Sequence, residues 1–158
     1  MTYRPIFSTQ LPDRRMTTSR ESGSPDSREA ASPHKPLILI VDDHDGARAA
    51  AAALLSSTGY DVDQAPNGRD ALALLAKGTR PDLILLDLMM PVMDGWEFMK
   101  RQRRDRQLCT IPTIVVSAVP PHDPRCLEMP VVRLVSKPYS RDQLMAAIQA
   151  EMSPSASA

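Results

Sequence analysis

Leu37-Ile38-Leu39-Ile40-Val41 runs straight into Asp42-Asp43, and Leu83-Ile84-Leu85-Leu86 runs straight into Asp87. Both runs are continuously apolar rather than alternating, as in parallel strands buried on both faces. Two more largely apolar runs follow. Ile111 to Val116 ends at Ser117, and Val131 to Val135 ends at Ser136-Lys137-Pro138. A shorter, alternating run, Tyr60 to Ala65, reads as a strand at a sheet edge.

Helical patterns separate these runs. Gly46 to Ser57 is alanine-rich, with Ala47, Ala50, Ala51, Leu54 and Leu55 on one side, and Gly59 stops it. Asn67 and Asp70 form a capping signature for a second helix with Ala71, Leu72, Leu74 and Leu75 on its apolar side, ended by Gly78. Asp94 and Glu97 form another, opening a helix whose far side carries Lys100, Arg101, Arg103, Arg104 and Arg106. Ser140 with Gln143 opens the last helix, which should run to about Ala150 through Leu144, Met145 and Ile148. Strands and helices alternate, so the expected fold is α/β, a doubly wound five-stranded parallel sheet with helices on both faces.

One segment breaks the rhythm. Of 15 prolines, five precede Leu37 and four lie between Pro120 and Pro130. Prolines so spaced exclude a full fourth helix. At most one or two turns fit, from Asp123 to Met129, with Pro124 at the first helical position. The early prolines fall in a segment of Ser, Thr, Arg, Asp and Glu with little to bury. The expected division is a disordered tail over residues 1–35, a domain over 36–150 and a flexible tail over 151–158.

Bulk composition excludes several classes. Lys plus Arg is 19 and Asp plus Glu is 19, so no global field draws nucleic acid or an anionic membrane. No apolar run reaches the length of a membrane span. Cys109 and Cys126 have no metal-ligand spacing, and His34, His44 and His122 are scattered. Free thiols and the absence of a secretory signal pattern point to the cytoplasm.

In open parallel sheets, ligands sit at the carboxyl ends of the strands. Asp42, Asp43, Asp87, Ser117 and Lys137 all stand there. Three close carboxylates repel unless a cation lies among them. Oxygen ligands at this density suit a hard divalent ion, Mg²⁺ or Mn²⁺. An ion beside a lysine and a hydroxyl is a site for a phosphoryl group, and an aspartate can be the nucleophile. Asp87, ending the central strand, is the best candidate, with Asp42 and Asp43 as ion holders.

The motifs ILIVDD, LILLDLMMPVMDG, Ser117-Ala118 and SKPY, in this order and at these intervals, resemble the receiver domain of two-component response regulators over about residues 37–150. That resemblance implies a flavodoxin-like fold with Asp87 as acceptor of a phosphoryl group from a histidine kinase or a histidine phosphotransfer protein. It implies Mg²⁺ held by Asp42, Asp43, Asp87 and the backbone carbonyl of Met89, with Asp43 the more direct ligand. Ser117 would bond a phosphoryl oxygen, Lys137 would pair with the phosphate, and Pro138 would fix its loop through a cis bond.

The chain departs from the family pattern in three ways. The segment PPHDPRCLEMP stands where a full helix is usual, a Gly-Ala pair is missing before the last strand, and Leu134 holds the position of an aromatic switch residue. Eight residues after Ala150 leave no room for an output domain, so signalling is expected by protein contact with a downstream target or in a homodimer, without direct nucleic acid contact. Catalysis would be limited to self-phosphorylation and slow autodephosphorylation, since Met89 and Val119 bring apolar bulk where polar groups could position water. The alternatives are a pseudo-receiver interaction module independent of phosphate and a metal-dependent phosphohydrolase. The second wants a general acid near Asp87, and Met89 cannot serve.

Overall fold

A computed structural model describes residues 34–120, 122–128 and 133–153. The expected tails therefore lie outside the described residues, apart from a few positions at each end. The elements alternate along the chain as β1 (Leu37–Val41), α1 (Asp45–Ser57), β2 (Asp61–Ala65), α2 (Gly68–Ala76), β3 (Leu83–Leu86), α3 (Gly95–Arg104), β4 (Thr113–Ser117), α4 (Pro124–Glu128), β5 (Arg133–Ser136) and α5 (Arg141–Met152).

All five strands are parallel, in the order β2-β1-β3-β4-β5. Side chains along each central strand alternate between two cores, which is why the runs read as continuously apolar. Leu39, Val41, Ile84, Leu86 and Val115 face α2 and α3, meeting Ala71, Leu75, Phe98 and Met99. Ile38, Ile40, Leu83, Leu85, Ile114 and Val116 face α1 and α5, meeting Ala51, Ala52, Leu55, Leu144, Ala147 and Ile148. The sheet is thus doubly wound, and β2, with Asp61 and Gln64 exposed, is an edge strand as its alternation implied.

Local signals explain the ends of the elements. Ser140 and Gln143 make a reciprocal capping box. Asp94 Oδ1 accepts from the Glu97 N–H at 2.8 Å, but the Glu97 carboxylate turns to Arg101 instead of back to the cap. Asn67 accepts from the Asp70 N–H at 3.0 Å, and its own amide donates to the Asp70 carboxylate. Gly59 and Gly78 stop α1 and α2 with φ of 98° and 107°, where any side chain would be strained. The cap of α1 is His44, whose Nδ1 accepts from the Ala47 N–H.

Several boundaries differ from expectation. β3 covers Leu83–Leu86, as the apolar run implied, and the Asp87 N–H still bonds the Val41 carbonyl at 2.8 Å. β4 begins at Thr113 rather than Ile111, because Pro112 has no N–H for the ladder. α5 runs on to Met152, two residues past Ala150. α4 is five residues long and starts at Pro124, in line with the proline spacing. Residues 131–132 of the expected last strand lie outside the described residues.

Candidate phosphoryl-transfer site

The sheet order sets the location. From β1 the chain crosses to β2 on one side and later to β3 on the other, so the carboxyl ends of β1 and β3 flank the point where winding reverses. Asp42 follows β1 and Asp87 follows β3. Both are buried, with 7% and 8% exposure, while Asp43 faces outward. One oxygen from each of the three carboxylates lies within 4.8 Å of the others. Such an all-oxygen set can hold a divalent cation.

Lys137 arrives from the far side of β4. Its Nζ donates to Asp87 Oδ2 at 2.6 Å and to Asp42 Oδ2 at 2.7 Å. Burial pushes this lysine's pKa down, but the two carboxylates outweigh burial and hold it above the ordinary lysine value. The Lys137–Pro138 peptide is cis, and the Lys137 N–H bonds the Ser117 carbonyl at 2.9 Å. Ser117 is fully buried at the end of β4, and its hydroxyl donates to Asp87 Oδ1 at 3.2 Å.

Asp87 Oδ1 also accepts from the Met89 N–H at 3.0 Å, and Asp42 Oδ1 accepts from the His44 N–H at 2.8 Å. Asp43 differs. Among the described residues its carboxylate makes no hydrogen bond, so its oxygens are the freest of the three to meet an ion.

The chain belongs to the response regulator receiver domain family. Residues 38–149 match the description of that domain. The chain is 36% identical over 115 residues to the phosphate regulon transcriptional regulatory protein PhoB of Pseudomonas aeruginosa, covering 72% of this chain and 50% of that protein. It is 36% identical over 108 residues to the sensor histidine kinase RcsC of Salmonella typhi, covering 68% of this chain and 11% of that protein. It spans half or less of the length of these curated relatives.

Among solved structures it resembles the signal receiver domain of a histidine kinase from Syntrophus aciditrophicus, with 31% identity, TM-score 0.70, and coverage of 78% of this chain and 94% of that one. It also resembles the receiver domain of the sensor histidine kinase PA1611 from Pseudomonas aeruginosa, solved with magnesium coordinated in its active-site cleft. There the identity is 28%, the TM-score 0.69, and the coverage 76% and 99%.

All five side chains read from the sequence of this receiver domain thus stand at one edge of the sheet. Two further residues were not foreseen. Arg48 donates to the Asp42 carbonyl at 2.7 Å and pairs with Asp45, tying the end of β1 to the first turns of α1. A lone arginine in an alanine-rich helix was the only sequence signal. Tyr139 shares a small cavity with Asp42 and Asp87, and burial raises its phenol pKa. Leu134 is half-buried on β5 and packs against the core on the α2–α3 side. No helix among the described residues is long and apolar enough to cross a membrane.

Proposed function

We propose that Asp87 accepts a phosphoryl group from the phosphohistidine of a histidine kinase or a histidine phosphotransfer protein. Asp42, Asp43, Asp87 and the Met89 carbonyl would hold Mg²⁺, with Mn²⁺ able to replace it. The observation that carries this reading is the convergence on one carboxylate. Lys137 reaches Asp87 at 2.6 Å, Ser117 reaches it at 3.2 Å, and two further carboxylates stand beside it.

In the transfer, an Asp87 oxygen forms a bond to phosphorus while the phosphorus–nitrogen bond of the phosphohistidine breaks. The leaving imidazole keeps the electron pair. Lys137 sits where negative charge grows on the equatorial oxygens, and Ser117 can turn its hydroxyl from the carboxylate to a phosphoryl oxygen. Bound Mg²⁺ supplies charge neutralisation among the three carboxylates and on the phosphoryl oxygens. The magnesium seen in the related PA1611 receiver supports that choice of ion.

The phosphorylated domain would signal in the cytoplasm by contact with a downstream target protein or with a second copy of itself. Incubation with acetyl phosphate and Mg²⁺, followed by intact mass, tests the acceptor. One phosphoryl group should appear on the native protein and none on Asp87→Asn. An unchanged native mass would rule the reading out.

A further inference from the structure

The outward face of α3 carries more positive charge than the fold uses. Phe98, Met99 and Gln102 turn inward and are buried. Lys100, Arg101, Arg104 and, just past the helix end, Arg106 are exposed. Residues three and four apart share a helix face, so Glu97, Lys100, Arg101 and Arg104 form one stripe. Glu97 is the single carboxylate on it.

That carboxylate is already engaged. Arg101 Nε donates to Glu97 Oε1 at 2.7 Å. This hydrogen bond, with Lys100 and Arg104 acting from further off, holds Glu97 below the ordinary glutamate value. Asp105, at the helix end, accepts through Oδ1 from the N–H groups of Gln107 and Leu108. Lys100, Arg104 and Arg106 make no ion pair among the described residues.

Structural needs account for only part of this. Cations in the last turn of a helix offset the partial negative charge there, which suits Arg101 and Arg104. Lys100 lies mid-helix, and Arg106 lies beyond the helix. Lys100 and Arg104 are four residues apart, a spacing at which like charges repel. The chain has 19 basic and 19 acidic residues, so the surplus belongs to this face and not to the bulk composition.

Length and surroundings define what fits. The stripe spans two helical turns, about 10 Å. Met89 and Val92, the large apolar side chains exposed among the described residues, lie ahead of α3 in the acceptor loop. The stripe itself therefore has no such side chain to enter a lipid layer. Asp42, Asp43 and Asp87 gather three carboxylates at the acceptor edge, which opposes the approach of a long polyanion such as a nucleic acid. A short acidic segment of a protein fits both the length and the sign.

We infer that Lys100, Arg101, Arg104 and Arg106 form a docking face for a short acidic segment of a partner protein. Arg104 lies about 14 Å along the helix axis from Gly95, where α3 leaves the acceptor loop. The partner can thus stay bound while Asp87 is approached. The face gives a surface and a chemistry to the protein contacts proposed above, and it does not depend on Asp87 being phosphorylated.

The experiment uses the full chain without a phosphodonor. The probe is fluorescein-labelled decaglutamate, read by anisotropy as salt is raised. The test variant is Lys100→Glu with Arg104→Glu. Its charge-matched control is Arg69→Glu with Arg141→Glu, at exposed positions of α2 and α5. The native chain and the control should bind at low salt and release the probe as salt rises. The test variant should bind about tenfold or more weakly. If that variant melts early, Lys100→Gln with Arg104→Gln decides, with an expected loss of about threefold or more at an unchanged melting midpoint. No binding by the native chain, or equal losses in the test and control variants, would overturn the inference. Tighter binding of an oligonucleotide of equal charge, or of phosphatidylserine vesicles, would overturn it too. So would dimerisation of the native chain that the test variant abolishes, which assigns the face to a second copy. No phosphoryl transfer is read, so each of these outcomes leaves the acceptor reading standing.

Discussion

Arg125 of α4 lies over the ring of Trp96 of α3, its guanidinium carbon 5.0 Å from the ring centroid. The same guanidinium forks onto Asp123, with both hydrogen bonds at 3.0 Å. The Trp96 indole Nε1 is buried and has no hydrogen-bond partner among the described residues. A helix of five residues cannot hold itself together. This stack, with Cys126 packed on the core, fastens α4 beside the site.

Arg125→Ala should therefore loosen α4. Amide exchange over residues 122–128 should quicken. The emission of Trp96, the single tryptophan, should change. Unaltered exchange and emission would mean that α4 is held by other contacts.

Lys137 is the counter-charge to Asp42 and Asp87. Lys137→Ala should leave the carboxylates unbalanced and lower stability in EDTA by about 2 kcal/mol. Millimolar Mg²⁺ should restore most of that loss, because an ion bound only by the folded state stabilises by mass action. Urea melts with and without Mg²⁺ check this, and a Mg²⁺-insensitive deficit would contradict the shared site. Phosphorylation by acetyl phosphate should slow by about 10²-fold even in saturating Mg²⁺.

Asp43 contributes repulsion without a hydrogen bond. Asp43→Asn should raise stability in EDTA by about 0.5–1 kcal/mol and lose Mg²⁺-dependent stabilisation. A variant that binds Mg²⁺ like the native chain in a calorimetric titration would remove Asp43 from the ligand set.

The pKa shifts set an alkaline limit. Lys137 is raised by its carboxylate partners over the opposing effect of burial, and Tyr139 is raised by burial. Groups raised on folding bind more protons in the folded state, so stability falls as pH increases through their titration. Their contribution is intact below about pH 10 and should fade above it. Thermal midpoints from pH 9 to pH 11 in EDTA should fall more steeply for the native chain than for Tyr139→Phe. Parallel curves would rule out a part for Tyr139.

Gly95 opens α3 with no room for a side chain. A Cβ there would overlap the Asp87 carbonyl oxygen and lie 2.8 Å from the Leu88 Cα, both backbone atoms. Gly95→Ala should destabilise the protein by about 3 kcal/mol or more and displace the acceptor loop. A melting midpoint within error of the native one would show that α3 can shift outward freely.

Much of this was legible in the chain. Burial on both faces imposes apolar runs, and a buried run that stops at a carboxylate or lysine marks the edge where side chains meet a ligand. Asp42, Asp43, Asp87, Ser117 and Lys137 could thus be named, and the proline spacing alone limited α4 to about a turn. Local hydrogen bonds announce themselves over three residues, so the caps at Asn67, Asp94 and Ser140 were visible too. His44 was missed as a cap because a histidine serves there only in one tautomer and orientation.

The rest depends on distances between residues far apart in the chain. That Lys137 bonds two carboxylates at once follows from strand order, which brings the ends of β1, β3 and β5 to one edge. Arg48 reaches the Asp42 carbonyl only once α1 is folded back beside the end of β1. Arg125 meets Trp96 only once α3 and α4 share a face. Val92 reads as an ordinary loop valine until the folded loop gives it a positive φ. Sequence alone determined which groups carry the chemistry, because burial and capping leave short-range patterns. Tertiary structure decided which atoms they touch and which residue is held out in water, because those depend on packing between distant segments.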